Sequence, residues 1–241
     1  MKTFNKVQIL ILNLITYLYR RAKIAIMKRL QLLTALLILP IILIAQSFEG
    51  SINYTISYSN LSSSMQQAES MLPKSQTIWI KDNMSRFEQK ISQVSTVVIT
   101  DTKAGTSTIL MEMMGQKFKL SISQEEMQEM VLEQKTPTVK YVDGTREIAG
   151  YTCKKAEVIM EGFEGVTTFY YTEEIPAVRV KGMESLELKG MFMAYEAKMQ
   201  DMTIKIEVTS INKGPVDDAK FIVPEGYSEL PDQMKSLMGI K

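Results

Sequence analysis

The side chains that could do chemistry are few in this sequence, and their spacing points away from catalysis. Histidine is absent from all 241 residues and cysteine occurs once, at Cys153. That removes Ser-His-Asp and Cys-His nucleophilic machinery, histidine zinc sites, cysteine metal clusters and any intramolecular disulfide. Cys153 stands before Lys154 and Lys155. An adjacent cation can lower a thiol's pKa, but neighbours on a strand point to opposite faces, so Lys154 is not aimed at the sulfur. The reading is a small buried apolar residue. The carboxylate pairs Glu125/Glu126, Glu173/Glu174 and Asp217/Asp218 are sequence neighbours rather than facing groups, and read as turns or solvated faces. The glycines form neither GxGxxG nor GxxxxGK[ST], so no phosphate loop is present, and turn or bulge positions explain them.

Methionine is the unusual residue, with 18 copies. Met111/Met113 and Met191/Met193 each form an MxM step, which on a strand puts both sulfurs on one face. Three readings stand: plain core, a soft apolar pocket or partner surface, and a thioether site for Cu(I). No metal or cofactor is assigned. Phe169, Tyr170 and Tyr171, with Tyr151, either line a cavity mouth or fill cross-strand pairs.

The elements that must position these residues read as strands. Ile52, Tyr54, Ile56 and Tyr58 alternate with polar residues, and 202–211 alternates as cleanly. Between them run strand-like stretches at 77–81, 84–89, 95–101, 106–113, 117–121, 138–142, 151–160, 166–172, 177–181, 185–188 and 192–198. Turns are expected at Asp82-Asn83, Lys103-Ala104-Gly105, Gly115, Asp143-Gly144 and Gly162/Gly165. Short helices are expected at 62–72, capped by serine and stopped by Pro73, and at 123–134, where Ser123 and Glu126 form a capping-box pattern. The polar C-terminal piece suits a third. The rhythm predicts one mainly antiparallel α+β domain over 46–241.

The N-terminal region has a different composition. Residues 1–45 hold seven basic and no acidic residues, leaving 21 basic against 27 acidic beyond them, a net charge of −6. A mildly acidic domain gives no support for nucleic-acid binding. Met27-Lys28-Arg29 followed by the apolar run Leu30–Ala45 has the layout of a signal peptide, cleaved after Ala45 or kept as an anchor. Residues 1–26 carry a second, shorter apolar stretch, Val7–Tyr19. They read either as an artefact of a start assigned upstream of Met27 or as an extra interfacial segment. The expectation is an exported protein, periplasmic or extracellular, touching membrane only through this targeting segment.

Arg146-Glu-Ile-Ala-Gly150-Tyr151-Thr-Cys153-Lys154-Lys155-Ala156, then Phe169-Tyr170-Tyr171-Thr172 and Phe221-Ile-Val-Pro224-Glu-Gly226-Tyr227, resembles the DUF4412 family of exported bacterial proteins. The GLPGLI family shares similar features. The resemblance covers about residues 50–227 and implies a LolA/LolB-like fold: a strongly curved antiparallel sheet forming a half-open barrel, with two or three short helices plugging its concave face. It marks Gly150, Tyr151, Cys153, Lys155 and Ala156 as motif residues without a catalytic role. Met111, Met113, Met191 and Met193 would then line an apolar cavity. The functional expectation is a non-enzymatic envelope protein holding a lipid or other apolar molecule. The alternative is a structural or protein-interaction module without a ligand cavity, whose partner would be an envelope protein.

Overall fold

The structure, a computed structural model, describes residues 48–133, 135–178 and 185–237. The expected targeting segments within 1–45, Met183 and the end of the expected strand 177–181 lie outside these residues.

Twelve strands form one sheet, built as two meanders. The first runs β1 (Gly50–Ser59), β2 (Ser75–Lys81), β3 (Met84–Ile91), β4 (Val94–Asp101), β5 (Thr106–Met113) and β6 (Gln116–Ile122). The second runs β7 (Thr138–Ile148), β8 (Tyr151–Ile159), β9 (Thr167–Thr172), β10 (Met191–Met199) and β11 (Met202–Lys213). They meet where β1 pairs antiparallel with β11, Gly50 opposite Lys213 and Ile56 opposite Ile206. A two-residue strand, β12 (Ser228–Glu229), adds in parallel to β6. The order is β12-β6-β5-β4-β3-β2-β1-β11-β10-β9-β8-β7.

That order corrects the expected architecture. The antiparallel strands are present, but the sheet is open, with β7 and β12 as outer edges that do not pair. It neither closes nor curls strongly into a half-open barrel. Helix α1 (Ser63–Gln67) forms as the serine cap predicts, Ser62 Oγ accepting from the Met65 amide, yet it has no buried residue. Helix α2 (Gln124–Glu133) starts with the predicted capping box: the Ser123 amide donates to Glu126 at 2.8 Å and the Glu126 amide to Ser123 Oγ at 3.2 Å. Helix α3 (Asp232–Leu237) is the C-terminal helix.

Two local expectations also change. Asp143-Gly144 is not a turn. β7 runs through it, and the register against β8 jumps from Val142–Lys155 to Thr145–Lys154, so both residues form a bulge. The turn lies at Ala149-Gly150, where both φ angles are positive, 49° and 83°, as a two-residue type I′ hairpin requires. Residues 185–188 are irregular rather than strand. Leu186 and Leu188 lie against the main core there, with Ile175 and Val178 from the same connection. Gly190 admits this path, since a Cβ there would sit 2.0 Å from the Thr172 carbonyl oxygen.

Strand alternation sorts the second meander into an apolar and a polar face. Tyr141, Ala156, Phe169, Tyr195, Ile206 and Ile56 form one cross-strand row. Phe169 stacks on Tyr195 with centroids 4.5 Å apart, and Tyr54 meets Phe192 at 5.0 Å while its hydroxyl donates to the Phe192 carbonyl at 2.9 Å. This is the heart of the main core. The first meander has two smaller clusters on opposite faces: Val97, Ile99 and Leu110 with Phe221 and Tyr227, and Leu120, Ile122 and Leu230 with Met234. The C-terminal segment therefore passes from one face, across the β6 edge as β12, to the other.

Candidate functional site

The motif Gly150–Ala156 is the β7–β8 hairpin. Gly150 supplies a positive φ at the turn, Tyr151 packs at the margin of the core, and Cys153 and Ala156 are fully buried. The Cys153 thiol donates to the Tyr151 carbonyl at 3.4 Å. Burial pushes it up to about 11, with the Glu147 charge adding to the rise, so it remains a protonated, unreactive thiol at neutral pH. Lys155 lies on the opposite, polar face, opposite Tyr170 of β9.

The methionine pairs are not brought together. Met191 and Met193 are buried in the main core, but a register shift between Phe192 and Ala194 interrupts the alternation that would align them. Met111 packs beside Leu120 and Ile122, in another cluster, and Met113 is half-buried next to the Met114-Gly115 turn.

The carboxylate pairs serve structural roles. Glu126 completes the α2 cap, Glu173 pairs with Lys154 at 2.6 Å, and Asp218 pairs with Lys81 at 2.5 Å. Asp217 accepts from the Ala219 amide. Among the described residues, no group of three or more Cys, Asp or Glu residues could hold a metal ion.

The apolar hollow beside the core, lined by Ala177, Val178, Leu186, Leu188, Met191 and Phe192, has a volume of about 20 Å³. That is room for one water molecule. Of the side chains expected to line a cavity, Phe169, Tyr171, Met191 and Met193 are buried in packed structure instead, and the open sheet does not curl around a ligand. This overturns the expectation of a lipid or apolar ligand held inside a curved sheet. A second hollow of about 250 Å³ is bordered by polar Ser85, Thr100, Asp101 and Gln124 and by apolar Ala177 and Val178.

The polar face of the second meander carries a groove of about 410 Å³, lined by Arg146, Lys155, Val166, Thr168, Tyr170, Ala194, Glu196 and Lys205. Its floor follows the cross-strand row Lys155, Tyr170, Ala194 and Glu207. The short side chain of Ala194 between Tyr170 and Glu207 creates the depth. Arg146 reaches over the Tyr170 ring, 5.4 Å from its centroid, and donates to Glu207 at 2.5 Å. Lys205 takes the other Glu207 oxygen at 3.1 Å. Partial burial would raise the Glu207 carboxyl, but these two cations hold it below the ordinary carboxylate range. Sequence reading did not find this site. Its members come from five strands, and only the register assembles them.

The geometry defines a class: an open, two-meander antiparallel sheet with a filled core. No family model matches the chain, and no curated protein does. Among solved structures, PNGF-II in its P21 crystal form is similar at a TM-score of 0.50 and 14% identity, covering 80% of this chain and 34% of that one. The chain thus spans about a third of the length of PNGF-II. The Mycobacterium tuberculosis lipoprotein LppX aligns at a TM-score of 0.37 and 13% identity, over 72% of this chain and 91% of its own. LprF from Mycobacterium bovis aligns at 0.31 and 14%, over 75% and 90%. At these identities the likeness to PNGF-II establishes a shared fold alone.

Proposed function

We propose that the chain is a non-enzymatic, exported module of the cell envelope that works by presenting its sheet to a protein partner. The observation that carries this reading is the open sheet, which does not curl around a ligand cavity; among the described residues the apolar hollow beside the core holds about 20 Å³, too little for an acyl chain. The outer edge of β7 supports it further. This strand has eleven residues, mostly exposed, and among the described residues no strand pairs on its far side. Unpaired edge amides and carbonyls are a template for an added strand. Absent histidine and structurally committed carboxylates support a role without catalysis. Export rests on the basic-then-apolar layout of residues 27–45, and the DUF4412 resemblance of the Gly150–Ala156 hairpin belongs to the same reading. In it, the motif residues Gly150, Tyr151, Cys153 and Ala156 shape the hairpin that carries the edge, and the four methionines are packing residues.

Two measurements test it. Native mass spectrometry of the purified full chain is expected to show no bound lipid, and fluorescent fatty acids are expected not to enter. A photo-crosslinking side chain at Tyr141 in β7 is expected to trap an envelope protein, while one at Lys90 in β3 traps none. A lipid-loaded species, or equal trapping at both positions, overturns the proposal.

A further inference from the structure

We infer that the polar groove on the second meander is a binding site for an oxyanion group, a carboxylate, sulfate or phosphate borne by a small polar ligand. Three cations line it: Arg146, Lys155 and Lys205. Glu207 binds two of them, Arg146 through one oxygen and Lys205 through the other. One carboxylate thus neutralises one of two charges. Lys155 has no carboxylate within 4.0 Å among the described residues. Glu196 also lines the groove, opposite Lys205 in the register, without an ion pair to it. The groove keeps a net positive charge on a domain that is otherwise acidic.

Donor capacity agrees with the charge. A guanidinium has five N–H donors and an ammonium three. Arg146 uses one on Glu207 and is held in place by the Tyr170 ring, so its remaining N–H groups are fixed rather than free to wander. The Thr168 hydroxyl adds a neutral donor. A volume of about 410 Å³ lies within the range of small-molecule sites. The site does not depend on a strand partner at β7, and loss of either reading leaves the other standing.

Calorimetric titration of the full chain with sodium phosphate, sodium sulfate and trigalacturonate tests the inference. Saturable binding of at least one probe is expected. Binding of phosphate or sulfate without trigalacturonate assigns a tetrahedral anion, trigalacturonate alone assigns a carboxylate, and binding of all three assigns an oxyanion of either kind. Lys155→Gln, at a half-exposed position, is expected to weaken the bound probe about tenfold, as loss of one charged hydrogen bond does. Ala194→Leu fills the groove without altering its charge and is expected to abolish binding, with circular dichroism reporting on its fold. No saturable binding by any probe, or unchanged affinity in Lys155→Gln, overturns the inference.

Discussion

The two meanders solve the same problem differently. The second fills its apolar face with large interlocking side chains: Phe169 on Tyr195, Phe192 on Tyr54, and Met191 and Met193 sealed among them. The first shares that core through Ile52, Tyr54, Ile56, Ile78, Ile80 and Phe87 of β1–β3, but beyond β3 it has alternation without bulk. Its Val97, Ile99 and Leu110 on one face and Leu120 and Ile122 on the other are covered by the C-terminal segment. That segment is tied on by Tyr227, whose hydroxyl donates to Glu112 at 2.6 Å, by Lys119–Glu229 at 3.1 Å, and by buried Leu230. The contrast extends to the edges. The β6 edge is covered in part by β12, and the β7 edge has no strand partner among the described residues but is interrupted by the Asp143-Gly144 bulge, a common guard against uncontrolled pairing. The strands around the seam share one core, and β4–β6 borrow from the end of the chain.

The sharpest way to break this comparison is to open the denser half. Phe169→Ala is expected to cost about 3–5 kcal/mol in urea denaturation, the range for emptying a buried aromatic site. Leu230→Ala is expected to cost less, about 2–3 kcal/mol, and to raise amide exchange in β6 while leaving β8 and β9 protected. Uniform loss of protection across both meanders would show that the C-terminal segment holds the whole sheet.

A third test uses pH. Burial raises the folded thiol of Cys153 to about 11, above the ordinary thiol range. The folded state therefore prefers the neutral thiol. Its contribution to stability is complete below the unfolded value and is lost as pH rises towards 11. Denaturation between pH 8 and 11 (roughly the span of the two titrations) should fall more steeply for the native chain than for Cys153→Ala. Iodoacetamide should leave Cys153 unmodified in the folded protein at pH 8. The smallest effect concerns the hairpin turn. Ala149 is a non-glycine residue at φ 49°, where asparagine is better tolerated. Ala149→Asn should stabilise by on the order of 0.5–1 kcal/mol in the same denaturation assay.

Much of the strand content was legible because period-two alternation is local. β1 and β11 announce themselves through Ile52-Tyr54-Ile56-Tyr58 and 202–211. The α2 capping box was legible for the same reason. Asp143-Gly144 misled because its composition suits a turn, whereas Ala149-Gly150, the actual turn, is set by the pairing of Ile148 with Tyr151. Residues 185–188 have the apolar spacing of a strand but serve as irregular cover for the core. Sheet closure and cavity were not legible at all. Whether methionines line a hollow or fill it depends on what packs opposite them, and the polar groove depends on Ala194 falling between Tyr170 and Glu207 in register.

The seam between the meanders has a kinetic consequence. Every pairing within β1–β6 joins consecutive strands, so that half can zip up by short steps. β1's other edge, however, waits for β11: Asn53 meets Ser210 across 157 residues of chain. Loop-closure entropy grows only slowly with such a span, but the high contact order slows the search. As a chain made from its N-terminus, the first meander is complete while half of its central strand is still unpaired. Its exposed Asn53–Ser59 edge is then the stretch most open to wrong partners until the last long strand arrives.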